Sequence, residues 1–217
     1  TTLSSSIFLT NKSEKYRTLG LSYTMVVKII DVTPESKQQS EYDVSIKENF
    51  KSLVEQTAPE KAKGRKMLMI KNDLWLYTPD IKKPIRISLA QKLTGQASNG
   101  DITKTDFLND YMPEVLNKDK KIIKLLLTAV DKDVTYNKIY YYISASSFKP
   151  IKAEFLALSG KMLKTAYYGK YKKYENKEIL TEIKIVDAVR KNKFSILLYD
   201  KFETKNLDDS LFNKAAF

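Results

Sequence analysis

The chain has 217 residues, 42% of them hydrophobic, and a formal net charge of +12; the apolar share is enough for a real core and excludes a disordered chain. It holds no Cys and no His, which removes thiolate nucleophiles, Ser-His-Asp triads and His- or Cys-ligated zinc. The surplus of lysine suits attraction to an anion, but lysines are interleaved with Glu and Asp along the whole chain and no arginine-rich block stands out, which argues for a solvated surface and against a reader of bases.

Residues 1–18 carry no clear period, and Ile7, Phe8 and Leu9 fit one turn of helix as well as a short strand. Residues 21–32 read as a strand, with Tyr23, Met25, Val27 and Ile29 on one face. Residues 41–47 alternate again, and residues 50–57 make a further strand closed by Pro59. Two short apolar segments follow, 67–70 and 74–77, separated by Lys71, Asn72 and Asp73 as a hairpin. A Gly/Ser/Asn-rich loop then spans 95–101, and Thr103-x-x-Asp106 has the form of a capping box, which predicts a helix starting near Thr103. Pro113 is expected to break that helix, with a short second helical turn in 113–120. Strands are predicted over 122–130, 138–144, 151–158, 161–174, 178–189 and 193–202. Ser159-Gly160 supplies a two-residue hairpin loop between two of them. The tail from Leu207 begins with Asp208-Asp209-Ser210, suited to a helix N-terminus.

About eleven strands in mostly hairpin connections, interrupted once by a helical insertion, predict one large antiparallel sheet, curled or barrel-like, in a single domain over 1–217. No apolar run approaches the ~18 residues needed to span a bilayer. A signal peptide removed ahead of Thr1, or a lipid-bearing Cys there, would leave no trace in this sequence. Gly95 and Gly100 do not form a phosphate loop, because no Gly-Lys-Ser/Thr follows. Asp101 and Asp106 suit a helix start better than paired acids for hydrolysis. No nucleophile has a plausible base, so no enzyme, metal or cofactor is expected. The run Tyr140-Tyr141-Tyr142 suits a barrel rim better than base stacking.

Several segments, in order, resemble the LolA-like outer-membrane lipoprotein-sorting proteins of Gram-negative bacteria (LolA/LolB type). They are 50–59 ending in proline, Lys63-Gly64 to Leu68, Leu74-Trp75-Leu76-Tyr77-Thr78-Pro79, Arg86-Ile87, the Asp101–Phe107 stretch, Pro150 to Phe155 with Ser159-Gly160-Lys161, and 207–212. The 101–107 stretch departs from the family pattern at Ile102, Lys104 and Thr105. The resemblance implies a mainly β fold: a strongly curved, unclosed antiparallel β-barrel with helices covering its concave face and an apolar cavity between them. It implies a periplasmic carrier of lipoprotein acyl chains or another lipid, working between an inner-membrane transporter and an outer-membrane acceptor, as a monomer and without nucleic acid. A lipid-sensing or receptor module of the same fold is the alternative. The cavity candidates are Met67, Met69, Trp75, Tyr77, Leu125, Leu127, Phe155 and Leu197. Strand register is not fixed by the pattern, so either face of each strand could be the lining one. The lid is expected to hold Asp101, Thr103, Asp106 and Phe107.

Overall fold

The computed structural model describes residues 2–48, 50–103 and 106–217. Helix α1 (Leu3–Glu14) leads into strands β1 (Ser22–Val32), β2 (Lys37–Lys47), β3 (Lys51–Ala58), β4 (Lys66–Ile70), β5 (Asp73–Tyr77) and β6 (Ile85–Ile87). A small hairpin, β7 (Lys92–Thr94) and β8 (Ala97–Ser98), runs directly into helix α2 (Asn99–Thr103). Then come β9 (Tyr111–Lys118), β10 (Ile122–Ala129), β11 (Lys138–Ser144), β12 (Pro150–Leu156), β13 (Met162–Tyr168), β14 (Tyr171–Tyr174), β15 (Lys177–Leu180), β16 (Glu182–Asp187) and β17 (Phe194–Thr204).

Thirteen of these strands form one curved, unclosed antiparallel sheet in the order β6-β5-β4-β3-β2-β1-β17-β16-β13-β12-β11-β10-β9. The strand count therefore exceeds eleven. Four of the six extra strands, β6, β7, β8 and β9, lie in the region read as loop and helix. The other two arise because two long predicted strands are each broken. The chain bends between β13 and β14 and again at Thr181, where the Thr181 N–H donates to the Lys170 carbonyl at 2.7 Å and the Gly169 N–H to the Glu182 carbonyl at 2.9 Å. The sheet stays open because β6 and β9 do not pair with each other.

Strand alternation sends one set of side chains to the inner face. Tyr23, Met25, Val27 and Ile29 of β1 are buried there, opposite Tyr42, Val44 and Ile46 of β2 and Leu197 and Tyr199 of β17. Residues from β4 at one end and β10 at the other belong to one buried cluster, which the curvature makes possible. Helix α1 contributes Leu9 to that cluster, and its Ser13 hydroxyl meets the Tyr141 hydroxyl at 2.6 Å.

Three local expectations change. The helix in the long loop starts at Asn99 and ends at Thr103, instead of starting at Thr103. The capping residues lie five positions earlier: the Asp101 carboxylate reaches back to the Ser98 N–H at 2.7 Å, which is half of a capping box. Residues 111–118 form an edge strand and not a helical turn. Proline suits such an edge because it lacks the N–H a central ladder needs, and Pro113 lies opposite Leu127 there. The tail forms two short 3-10 turns, Asp209–Phe212 and Lys214–Ala216, rather than an α-helix.

Candidate functional site

A cleft of about 840 Å³ lies between the inner face of β2–β6 and the loop that carries β7. Its apolar walls are Tyr42, Val54, Met67, Leu76, Ile87 and Leu93. Register explains why they meet. Val54 pairs with Met67, Met67 with Leu76, and Leu74 with Ile87, so every second residue across four strands turns inward. Gln38, Gln39, Gln56, Gln91, Lys61, Arg65 and Lys92 surround the opening. Asp31, Ser40, Thr78, Asp80, Thr94 and Asn99 also line it, so the lining is mixed, and its volume falls in the range of roughly 300–1,000 Å³ usual for a small-molecule site.

The other half of the inner face is filled. Between α1, residues 106–111 and strands β11–β17 there remains a space of only about 30 Å³, bordered by Arg17, Asp101, Phe107, Tyr136, Phe155 and Tyr199. Tyr136 stacks on Phe155 with ring centroids 4.0 Å apart, and Phe107 meets Tyr141 edge-on at 5.2 Å. The Arg17 guanidinium lies 3.8 Å from the centre of the Phe107 ring and bonds the Glu14 carboxylate at 2.9 Å. That carboxylate also accepts the Phe107 N–H at 3.0 Å. Burial works against the charge on Arg17, but Glu14 together with Tyr168 and Tyr141 holds the guanidinium above its ordinary pKa. Burial raises the Glu14 carboxyl despite the opposing pull of Arg17. The pair thus ties the end of α1 to the loop before β9.

Two polar latches hold the β7–β8 hairpin and α2 against the sheet. At the first, the Asp31 carboxylate accepts from the Thr94 and Ser195 hydroxyls, and the Ser195 hydroxyl oxygen accepts the Gln96 N–H at 2.8 Å. Gly95 sits directly above them with φ +51°, and a Cβ there would meet an Asp31 carboxylate oxygen at 1.8 Å. At the second, the buried Lys164 ammonium donates to the Gln96 carbonyl at 2.6 Å, to Ser98 Oγ at 3.0 Å and to the Asp101 carboxylate at 3.3 Å. The Tyr136 hydroxyl donates to the same carboxylate at 2.7 Å. Gly100 allows α2 to press on Thr135, where a Cβ would meet Oγ1 at 1.8 Å.

The sequence-predicted residues divide among these regions. Met67 lines the cleft. Phe155 and Leu197 border the small space. Met69, Leu125 and Leu127 are buried on the inner face at 1% exposure or less and border neither space. Trp75 and Tyr77 are turned to the opposite, outer face, away from the other six. There Tyr77 packs with Leu68, Leu207 and Phe212, and Trp75 packs against the same cluster beneath the Lys214 ammonium, 3.9 Å from its ring centre. Of the expected lid, Asp101, Asp106 and Phe107 border the small space. Thr103 is buried and donates to the Asn99 carbonyl at 2.8 Å, so its hydroxyl is not a cap. Asp106 caps a turn by accepting the Leu108 and Asn109 N–H groups. Lys104 and Thr105, within the same expected segment, lie outside the described residues. Sequence reasoning missed Asp31, Lys164, Ser195 and Arg17. A signal existed for the first two: each is a charge that continues an inward-facing apolar series, Asp31 after Val27 and Ile29, Lys164 before Ala166 and Tyr168.

Among the described residues no group of three or more His, Cys, Asp or Glu side chains could hold a metal ion, and no helix is long and apolar enough to cross a membrane. A solved structure of a LolA superfamily protein from Nitrosomonas europaea is 33% identical to this chain, covers 98% of it and 99% of its own length, and superposes with a TM-score of 0.91. The chain belongs to the LolA superfamily. The same fold occurs at TM-score 0.84 in a putative outer membrane lipoprotein-sorting protein domain from Vibrio parahaemolyticus, 18% identical, covering 99% of both chains. It also occurs at TM-score 0.84 in a DUF1329 family protein from Desulfovibrio piger, 16% identical, covering 99% of this chain and 98% of the other. A family model described as "Uncharacterized protein" matches residues 48–217. That match omits β1 and β2, although in this LolA-superfamily sheet they are the central link between β3 and β17. No curated protein matches the chain.

Proposed function

We propose that this LolA-superfamily chain is a non-enzymatic periplasmic carrier that binds acyl chains of lipoproteins or of another lipid and moves them towards the outer membrane, between an inner-membrane transporter and an outer-membrane acceptor. One observation carries the reading: a cleft of about 840 Å³ with apolar walls lies under a loop fastened by two small polar latches. A methylene gains about 0.8 kcal/mol on burial, so a chain of ~14 methylenes gains roughly 11 kcal/mol gross. Capturing several whole chains at that rate exceeds the ceiling for non-covalent affinity and would prevent release. A carrier is therefore best served by a wall that buries a chain partly and a cover that can shift.

The latches suit such a cover. Each fastens the loop through hydrogen bonds to a single inner-face charge, Asp31 or Lys164. Beneath the loop Leu89, Ala97 and Ile102 are buried against the inner face. Lifting it would extend the cleft towards Phe155 and Leu197. The superfamily membership and the fold shared with a putative lipoprotein-sorting domain support the same reading.

The test is mass spectrometry of lipids that copurify with the native protein, paired with titration of a fluorescent fatty acid. The carrier reading expects acylated molecules in the native preparation and saturable binding of the probe. Filling the cleft with Leu93→Trp should weaken that binding. A native preparation free of acyl lipid, together with a wild type that binds no acyl probe, overturns it.

A further inference from the structure

We infer that the cleft selects anionic amphiphiles, with an acyl chain along its apolar floor and an anionic head group at Arg65, Lys61 and Lys92. This inference rests on the carrier reading and names its ligand class. The three cations stand at the opening of the cleft, each exposed, and none makes an ion pair among the described residues. Some cations on this chain meet carboxylates, as Lys47 and Lys51 do with Asp209 at 3.0 and 2.8 Å and Lys170 with Glu182 at 2.9 Å, but many exposed lysines do not, so it is their place beside the apolar wall that singles these three out. The cleft has two carboxylates of its own, Asp31 and Asp80. Asp31 accepts two hydroxyls under the loop. Asp80 is exposed, and the charge of Arg65 helps to hold its carboxyl below the usual carboxylate range.

Three cations against two carboxylates leave the lining with a net positive charge, directly beside a wall made of Tyr42, Val54, Met67 and Leu76. Position fixes the leading cation. Gly64, at φ +82°, turns the chain into β4, and the Arg65 carbonyl accepts the Gln56 N–H at 2.8 Å. Arg65 thus stands two residues before Met67 of the apolar wall, immediately ahead of the same strand. Its planar fork matches a phosphate or a carboxylate in two-point geometry, which an ammonium cannot do. A ligand with an apolar tail and a neutral or zwitterionic head would use the wall but leave these cations without a counter-charge.

The experiment is displacement of the neutral fluorophore N-phenyl-1-naphthylamine from the full chain by amphiphiles that share a myristoyl tail. They are lysophosphatidylglycerol, lysophosphatidylcholine and myristate, with inorganic phosphate as the control without a tail. Exposed ion pairs are individually weak, so three together predict that the anionic probes displace at about tenfold lower concentration than lysophosphatidylcholine. Which anionic probe binds tighter separates a phosphate head from a carboxylate. Inorganic phosphate should displace nothing. The double variant Arg65→Glu/Lys92→Glu changes exposed side chains only. It should abolish the preference, weakening displacement by the anionic probes far more than displacement by lysophosphatidylcholine. Equal displacement by both lysolipids in the wild type overturns the anionic selectivity and leaves the carrier reading standing. A preference that survives in the double variant overturns the assignment to these residues. Failure of the wild type to bind the fluorophore or any amphiphile overturns both readings.

Discussion

The two halves of the inner face are built from the same alternating strands, yet they end differently. Over β9–β13 the inward side chains meet α1 and the 106–111 loop. Leu125, Leu127, Ile139 and Tyr141 are left with no exposure at all. Over β2–β6 the inward side chains Val54, Met67, Leu76 and Ile87 meet a cleft. The strand pattern is equally apolar in both places, so the pattern alone does not distinguish core from binding wall. What differs is the partner. In one half a helix adds Leu9 and a loop adds Phe107 to the buried cluster. The other is covered by a short hairpin that touches down at Asp31 and Lys164 and leaves room beside it.

The most severe way to break this contrast is Leu127→Glu. A carboxylate in the filled half would have no partner and no water. It should cost about 4 kcal/mol or more, enough to unfold much of the population. Urea denaturation measures it, and a melting point near wild type would show that this half is not a packed core. Next comes Lys164→Met, which removes the cation from a buried ion pair and leaves the Asp101 carboxylate without it. About 3 kcal/mol is expected. Adding Asp101→Asn should recover a good part, because the stranded charge disappears. Hydrogen exchange over residues 94–98 should rise more in the single variant than elsewhere in the sheet. Uniform loosening would refute the latch.

Much of this fold was legible in the sequence, and the exceptions have physical causes. The alternation in β1 and β2 placed Tyr23, Met25, Val27 and Ile29 correctly because one face is polar enough to break the tie. Leu74-Trp75-Leu76-Tyr77 carries apolar residues on both faces, so its period of two favours neither side. The choice is made more than a hundred residues away, where Leu207 and Phe212 of the tail cover Tyr77 and Leu68 on the outer face. The Thr103-x-x-Asp106 signal competed with an equivalent one, Ser98-x-x-Asp101, and the earlier of the two is used because Gly100 lets the helix press on Thr135. Pro113 was compatible with both a helix break and an edge strand. Only the pairing of β9 with β10 settles it. The cleft was not legible, since it is a space left between elements that no local pattern describes.

A gentler test uses pH. Burial raises the hydroxyl pKa values of Tyr136 and Tyr141 well above the ordinary value of 10.0 and pushes Tyr168 up to about 12. These groups are neutral in the fold, while in the unfolded chain they lose their protons from about pH 10. The contribution of Tyr168 is therefore fully present below pH 10 and is lost as pH rises from there through 12, and that of Tyr136 and Tyr141 is lost from pH 10 upwards. On the order of 2 kcal/mol should disappear over that window from Tyr168. Melting temperature followed from pH 8 to 12 should stay level and then fall above 10. Tyr168→Phe should flatten part of the fall, and a decline that begins near neutrality would point to other groups.

The smallest effect on stability is the one that separates the two halves most cleanly. Ile87 is half-buried, lines the cleft and lies opposite Leu74 on the inner face. Replacing it with Asn forfeits part of one side chain's burial, about 1 kcal/mol. The amide need not be buried without partners, because it borders a space open to water. The same polar change at Ile139 in the filled half would bury an amide where nothing is exposed, at a cost several times larger. If the cleft is a binding wall, Ile87→Asn should keep nearly all of its stability and lose affinity for a fluorescent fatty acid, whereas Ile139→Asn should lose stability first. Melting and probe titration on both variants decide it. Should Ile87→Asn melt as low as Ile139→Asn, the two halves are one core and the cleft is packing slack. Should it melt high and bind the probe as the wild type does, the acyl chain does not lie along β6.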